Sequence, residues 1–210
     1  MADSRYELIQ AAHAFHRQGW MVGTAGNLSA RLADGSFWIT ASGRSKGELR
    51  PSDFIRCYPD GDWEALLPDL KPSAETSIHQ AVYDLFPTAW ACFHVHSIEA
   101  NLVSTFTTAP DLLLPPLEML KGLGVWDEVP TCTIPLLENY LEVPKIAQAM
   151  RDRFAVQPPA VPAMLIRHHG VTVWGPSLEA ARNAIELVEY IFRYMVQAQQ
   201  LGMSLSQSFG

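Results

Sequence analysis

Residues Trp90–Ser97 read WACFHVHS, and the fold is read outward from this octapeptide. An apolar run ends in two histidines, His94 and His96, two positions apart. In an extended strand, side chains at i and i+2 share a face. Both imidazoles therefore point the same way, while Phe93 and Val95 point into the opposite layer. Two nitrogen donors on one rigid face begin a site for zinc or a similar divalent ion, and such a site needs a third ligand. His169 in RHHGV (residues 167–171) is the best candidate. His168 is its rival, but neighbours on an extended segment point opposite ways, so one of the two ligates. Gly170 lets the backbone turn closely beside the metal. On spacing alone the competing reading is a pair of ordinary strand histidines and a loop pair.

Composition narrows what surrounds this strand. A chain of 210 residues, 48% hydrophobic and 18% charged, reads as one globular domain over residues 1–210 with a sizeable core. No apolar run reaches membrane-spanning length, which argues against a membrane protein. The N-terminal MADSRYELIQ lacks a basic segment leading into an apolar one, so it does not read as a secretory signal. Cys57, Cys92 and Cys132 are odd in number and scattered, which suits a reducing cytoplasm better than a disulfide framework. A net charge of −7 argues against a general nucleic-acid binder. It leaves room for a small anionic substrate in a locally positive pocket.

Upstream, Ser4–Gln18 reads as a helix. Ser4 and Glu7 form a capping-box pattern, Leu8, Ile9, Ala12 and Phe15 make an apolar stripe, and Gly19 stops it. GTAGNLSARL is a glycine-rich turn entering a strand, Asp34-Gly35 a hairpin turn, and SFWIT the return strand. ASGRSKGEL reads as a polar loop, and Asp53–Tyr58 as a strand closed by Pro59-Asp60-Gly61. A helix is expected from about Ala74 to Phe86, with Ser73 as its cap, Ile78, Val82 and Leu85 inward, and Pro87 beyond it.

Downstream of the histidine strand the pattern predicts a helix over Ser97–Phe106 and a short helical turn around Glu118. A strand is expected at Val129–Pro135 and a helix from Pro144 to about Phe154. Strands at Ala163–Arg167 and Val171–Trp174 flank the His168-His169-Gly170 turn. A last helix, capped by Ser177, has the stripe Ala181, Ile185, Val188, Phe192 and Met195, with Gly202 beyond its end. The C-terminal LSQSFG is the expected frayed end. Strands cluster in hairpins, which predicts a mostly antiparallel sheet carrying helices, with both faces open to them.

Besides the histidines, three groups of residues carry chemistry. Thr24, Gly26, Asn27, Ser42, Gly43 and Ser73 are small polar or glycine residues in turns that expose backbone N–H groups. Such turns suit a phosphate, although most simply shape loops. Glu75 is expected in the first turn of the Ser73 helix, either as a charge matched to the helix dipole or as a carboxylate near the metal's open position. Glu118 lies in the apolar segment PPLEMLKG and is either solvent-facing or a buried acid/base.

With these pieces placed, the chain resembles the class II aldolase/adducin family along nearly its whole length. The resemblance rests on GNLS at Gly26–Ser29, TASG at Thr40–Gly43, KPSAE at Lys71–Glu75, HVHS at His94–Ser97 and RHHG at Arg167–Gly170. It implies a three-layer α/β/α sandwich with a central, mostly antiparallel sheet. It implies one zinc ion per subunit on His94, His96 and His169, and a homotetramer with sites at subunit interfaces. Glu118 or Tyr140 would then act in a neighbour's site. The phosphate of a small phosphorylated ketose would sit on Asn27, Ser42, Gly43 and Ser73. Aldolases of the family tend to have a serine pair before their catalytic glutamate; Ala74 here removes one hydroxyl. They also tend to carry tyrosine where this chain has Glu118. LEMLKG, IPLLEN and RHHGVTVWG are most similar to the family's dehydratase members, which use that glutamate as acid/base. Glu118 is thus the first choice for the acid/base and Glu75 the second. The resemblance implies a metal-dependent dehydratase. A class II sugar-phosphate aldolase or epimerase is the alternative, and a non-catalytic adducin-like scaffold is less favoured.

Overall fold

Strand alternation builds the molecule. In a computed structural model describing residues 3–128 and 130–203, nine strands form one sheet. They are β1 (Asn27–Arg31), β2 (Phe37–Thr40), β3 (Phe54–Cys57), β4 (Trp63–Ala65), β5 (Ala91–Val95), β6 (Asp111–Leu113), β7 (Thr133–Leu137), β8 (Ala163–Ile166) and β9 (Gly170–Gly175). The spatial order is β4-β3-β2-β1-β5-β9-β8-β7-β6, antiparallel except for the parallel pair β7 and β8. The histidine strand β5 therefore lies inside the sheet, paired to β1 and β9.

The two faces of β5 go where the spacing predicts. Phe93 and Val95 join one core cluster with α1 (Ser4–Arg17) and α5 (Leu178–Gln200). Cys92 joins the other with α2 (Thr76–Leu85) and α4 (Val143–Val156). Leu28 and Ala30 on β1, and Val171 and Val173 on β9, sort into the first cluster by the same alternation. Helices thus cover both faces, giving the three-layer α/β/α arrangement. A short helix α3 (Ile98–Val103), capped by the Ser97 hydroxyl, follows β5 directly.

Several boundaries differ from the sequence expectation. Asp3, not Ser4, caps α1: its carboxylate accepts from the Arg5 backbone N–H and also grips the Arg5 guanidinium. α2 begins at Thr76 rather than Ala74, because the Ser73 hydroxyl is turned toward Glu75 and its carbonyl accepts from Thr76 instead. α3 stops at Val103, where the hydroxyls of Ser104 and Thr105 bond carbonyls three residues back. Asp53 belongs to a 3₁₀ turn over Pro51–Asp53, so β3 starts at Phe54. β7 begins at Thr133, where β6 begins to pair with it, and β8 joins only from Leu136; the expected start at Val129 falls outside the described residues. β4 had no sequence signal. The expected frayed C-terminus also falls outside the described residues. Glu118–Leu123 forms a 3₁₀ turn, as expected around the two prolines.

Two glycines are required where backbones meet. A Cβ on Gly170 would sit 2.2 Å from the Val95 carbonyl oxygen and 3.2 Å from the His96 ring. Gly26 has φ +74°, and a Cβ there would lie 2.8 Å from the His94 carbonyl oxygen. Both bring chain against the end of β5.

Candidate metal centre

His94 is the last residue but one of β5 and lies on the α2/α4 side of the sheet. Across the ladder it faces Asn27 of β1 and Thr172 of β9. Thr172 Oγ1 lies 2.9 Å from His94 Nδ1. With Nδ1–H donating there, His94 Nε2 is left as a lone pair. His96 follows the strand, its backbone N–H donating to the Trp20 carbonyl at 2.8 Å. The two Nε2 atoms are 2.8 Å apart.

His169 arrives from the tight turn between β8 and β9, closed by the His169 N–H on the Ile166 carbonyl. That turn places His168 at φ 53°, the one non-glycine residue with positive φ among those described. Side chains around α3 hold it there. Ser104 Oγ accepts from the His168 N–H at 3.0 Å, Asn101 donates to the His169 carbonyl at 3.1 Å, and Arg167 donates to the carbonyls of Ser104 and Thr107. The left-handed residue reverses the chain, so His169 turns toward His94 and His96 while His168 stays exposed, and both line a cleft with Tyr140. The three imidazole rings pack edge-on, with centroids 4.6 to 5.0 Å apart.

Glu75 completes the group. It precedes α2, and its Oε1 lies 3.2 Å from His169 Nε2 and 4.0 Å from His96 Nε2. One donor atom from each of Glu75, His94, His96 and His169 lies within 4.8 Å of the others. Burial pushes His94 well below its ordinary pKa and His96 down to about 4, with the neighbouring imidazoles acting in the same direction. Burial also works to raise the Glu75 pKa. The hydrogen bond to His169 and the pull of the imidazoles outweigh it, holding the carboxyl well below the usual range. Neutral imidazoles and an ionised carboxylate are the forms that coordinate a cation. His169 Nδ1 is buried without a partner among the described residues, while its Nε2 faces Glu75 Oε1. The residues present fit a divalent metal.

The phosphate candidates divide. Asn27 is buried, with its amide committed to Ser73, Glu75 and His79. Ser73 lies with it, 3.0 Å from Glu75 Oε2. Ser42 and Gly43 are exposed on the loop after β2, where the Ser42 N–H meets the Lys71 carbonyl and Gly43 takes φ +70°. A polar cleft of about 630 Å³ runs along Gly43, Arg44 and Arg50. A second, of about 610 Å³, opens at His96 and His169 and is lined also by Tyr140, Leu141 and Val143.

Glu118 is not in the cluster of its own chain. Its side chain is 79% exposed and pairs with Lys121 at 2.9 Å, which settles the open choice in favour of solvent within one subunit.

The sequence reading missed Lys46, His79 and Thr172. Lys46 lies in the loop read as polar, yet it is 1% exposed, its ammonium donating to the carbonyls of Thr24 and Arg44. Burial pulls its pKa down to about 8, against the attraction of Glu75. His79 stands four residues after Glu75, a spacing that places the two on one side of a helix. Thr172 becomes visible only once β9 is set in register against β5.

The chain belongs to the family described as Class II Aldolase and Adducin N-terminal domain, which matches residues 6–196. Among its relatives, a methylthioribulose-1-phosphate dehydratase of Microcystis aeruginosa is 58% identical over 96% of this chain and 98% of its own. Another of that name, from Leptospira biflexa, is 42% identical over 94% of this chain and 98% of its own. The crystal structure of YgbL from Escherichia coli superposes with a TM-score of 0.78 at 28% identity, covering 92% of this chain and 88% of that one.

Proposed function

We propose that this chain is a hydro-lyase of methionine salvage. It would convert 5-methylthioribulose 1-phosphate to 2,3-diketo-5-methylthiopentyl 1-phosphate with one zinc ion per subunit. The observation that carries the substrate is 58% identity to a dehydratase of that name over nearly the full length of both chains. The convergence of His94, His96, His169 and Glu75 supports the chemistry.

The three histidines would hold the metal and leave a position open. Zinc bound there would supply Lewis-acid polarisation of the substrate's carbonyl. The carboxylates then divide the proton transfers. One removes the C3 proton, the C3–H electrons form the C3–C4 double bond, and the C4 hydroxyl leaves with a proton as water. The enol so formed tautomerises to the diketone, with the proton returning to C4. Glu118 is our first choice for this acid/base work and Glu75 the second. Because Glu118 is exposed on its own chain, it would serve a neighbouring subunit's site in a homotetramer. Asn27, Ser42, Gly43 and Ser73 would lie along the phosphate, with Asn27 and Ser73 also bracing Glu75. A cytoplasmic setting suits three free, buried cysteines.

The test is turnover of 5-methylthioribulose 1-phosphate by purified protein of known metal content. Activity lost to a chelator and restored by zinc supports the reading. Full activity in metal-free protein, or undiminished turnover by zinc-loaded Glu118→Gln, overturns the corresponding assignment.

A further inference from the structure

Behind Glu75 a chain of hydrogen bonds runs through the core to Tyr83. Asn27 Nδ2 bonds Glu75 Oε2 and lies 3.1 Å from Ser73 Oγ, while Asn27 Oδ1 meets His79 Nε2. His79 Nδ1 lies 2.6 Å from Ser29 Oγ, which lies 2.6 Å from the Tyr83 hydroxyl. Asn27, Ser29, His79 and Tyr83 are all buried.

The direction of every bond follows from one charge. An ionised carboxylate only accepts. Ser73 therefore donates its one hydroxyl hydrogen to Oε2 at 3.0 Å. Asn27 must present its NH₂ to Glu75 and Ser73, which turns its carbonyl oxygen toward His79. That oxygen needs a donor, so His79 carries its hydrogen on Nε2. Its Nδ1 is then an acceptor, and Ser29 is its partner. Ser29 has one hydrogen, and the 2.6 Å contact to His79 is better than the 3.4 Å contact to the Cys92 carbonyl. Ser29 in turn accepts from Tyr83. Burial keeps the His79 ring neutral, as this arrangement requires.

We propose that His79, as the neutral Nε2–H tautomer backed by Ser29 and Tyr83, is a positioning residue that locks the Asn27 amide and through it aims the Glu75 carboxylate. With Oε2 held by Asn27 and Ser73, Oε1 is left facing His96 and His169. Without His79 the amide is free to flip and set its oxygen against the carboxylate. The proposal rests on Glu75 acting beside the metal, as read above.

Two measurements on the zinc-loaded protein test it. Solid-state ¹⁵N NMR of histidine-labelled wild type, with the His79 signal assigned by its loss in His79→Gln, is expected to show Nε2 protonated and Nδ1 bare. A signal from the Nδ1–H tautomer or from an imidazolium overturns the proposal. In kinetics, His79→Leu is expected to lower kcat about 10- to 100-fold with little change in KM or zinc content. His79→Gln keeps a donor for Asn27 Oδ1 and is expected to recover most of that loss. Equal losses in both variants, or undiminished kcat in His79→Leu, would overturn it. The tautomer is read without substrate. Failure of wild type to turn over 5-methylthioribulose 1-phosphate would therefore count against the function, and a reversed tautomer against this inference.

Discussion

Thr172 and His94 face each other across β5 and β9 at 2.9 Å, and with Nδ1–H donating to the hydroxyl, Nε2 is the imidazole nitrogen free for a metal. Thr172→Val keeps the shape and removes the acceptor. Zinc affinity, measured by competition with a chelator, is expected to fall about 10- to 100-fold; an unchanged Kd would show that the tautomer is set elsewhere. A second residue reports on stability. Glu189 on α5 is 2% exposed, and neither carboxylate oxygen has a hydrogen-bond partner among the described residues. Burial and Glu99 push its pKa up to about 8, against Ser97 and Arg193. The folded form therefore holds a proton that the unfolded chain releases above its ordinary pKa of 4.5. This contribution is fully present below that value and is lost as pH rises through about 8. Glu189→Gln is expected to match wild type in acid and to exceed it at alkaline pH by on the order of a few kcal/mol. Parallel melting curves across that range would refute the burial argument.

Helix α1 separates sequence pattern from structure at the scale of an element. Ser4 and Glu7 satisfy the capping-box spacing, yet Asp3 makes the cap and Ser4 Oγ is buried without a partner among the described residues. Asp3→Ala is expected to cost about 1 kcal/mol in urea unfolding, and Ser4→Ala clearly less; the reverse order would restore the sequence reading. The same contrast shows what was legible. The i, i+2 histidines, the Ser177 cap and the stripe of α5 are local signals, and each appears where the spacing put it. Glu75 was read in the first turn of a helix, but Asn27 and Ser73 draw its carboxylate inward instead. Asn27 and His79 are 52 residues apart, and Lys46 meets a carbonyl 22 residues away. Contacts set by sheet register leave no periodic mark, so a loop lysine and a helix histidine looked ordinary. The short edge strand β4 was unreadable for a related reason: its three residues are largely exposed and too few to set a period.

In the whole molecule the two carboxylates occupy different settings. Glu75 sits among the histidines, while Glu118 stands exposed on a 3₁₀ turn. If subunits share sites, a Glu118→Gln chain and a His94→Ala chain, each inactive alone, are expected to regain part of the activity when dissociated and reassembled together. Mixed oligomers that stay inactive would place both functions within one chain.

Elimination and carbon–carbon cleavage can share a metal and a fold, so the product decides between them. The most direct measurement is mass spectrometry of the products after zinc-loaded protein meets 5-methylthioribulose 1-phosphate. One product lighter by a single water is the expected result; two carbon fragments, or unchanged substrate with the metal bound, would contradict it.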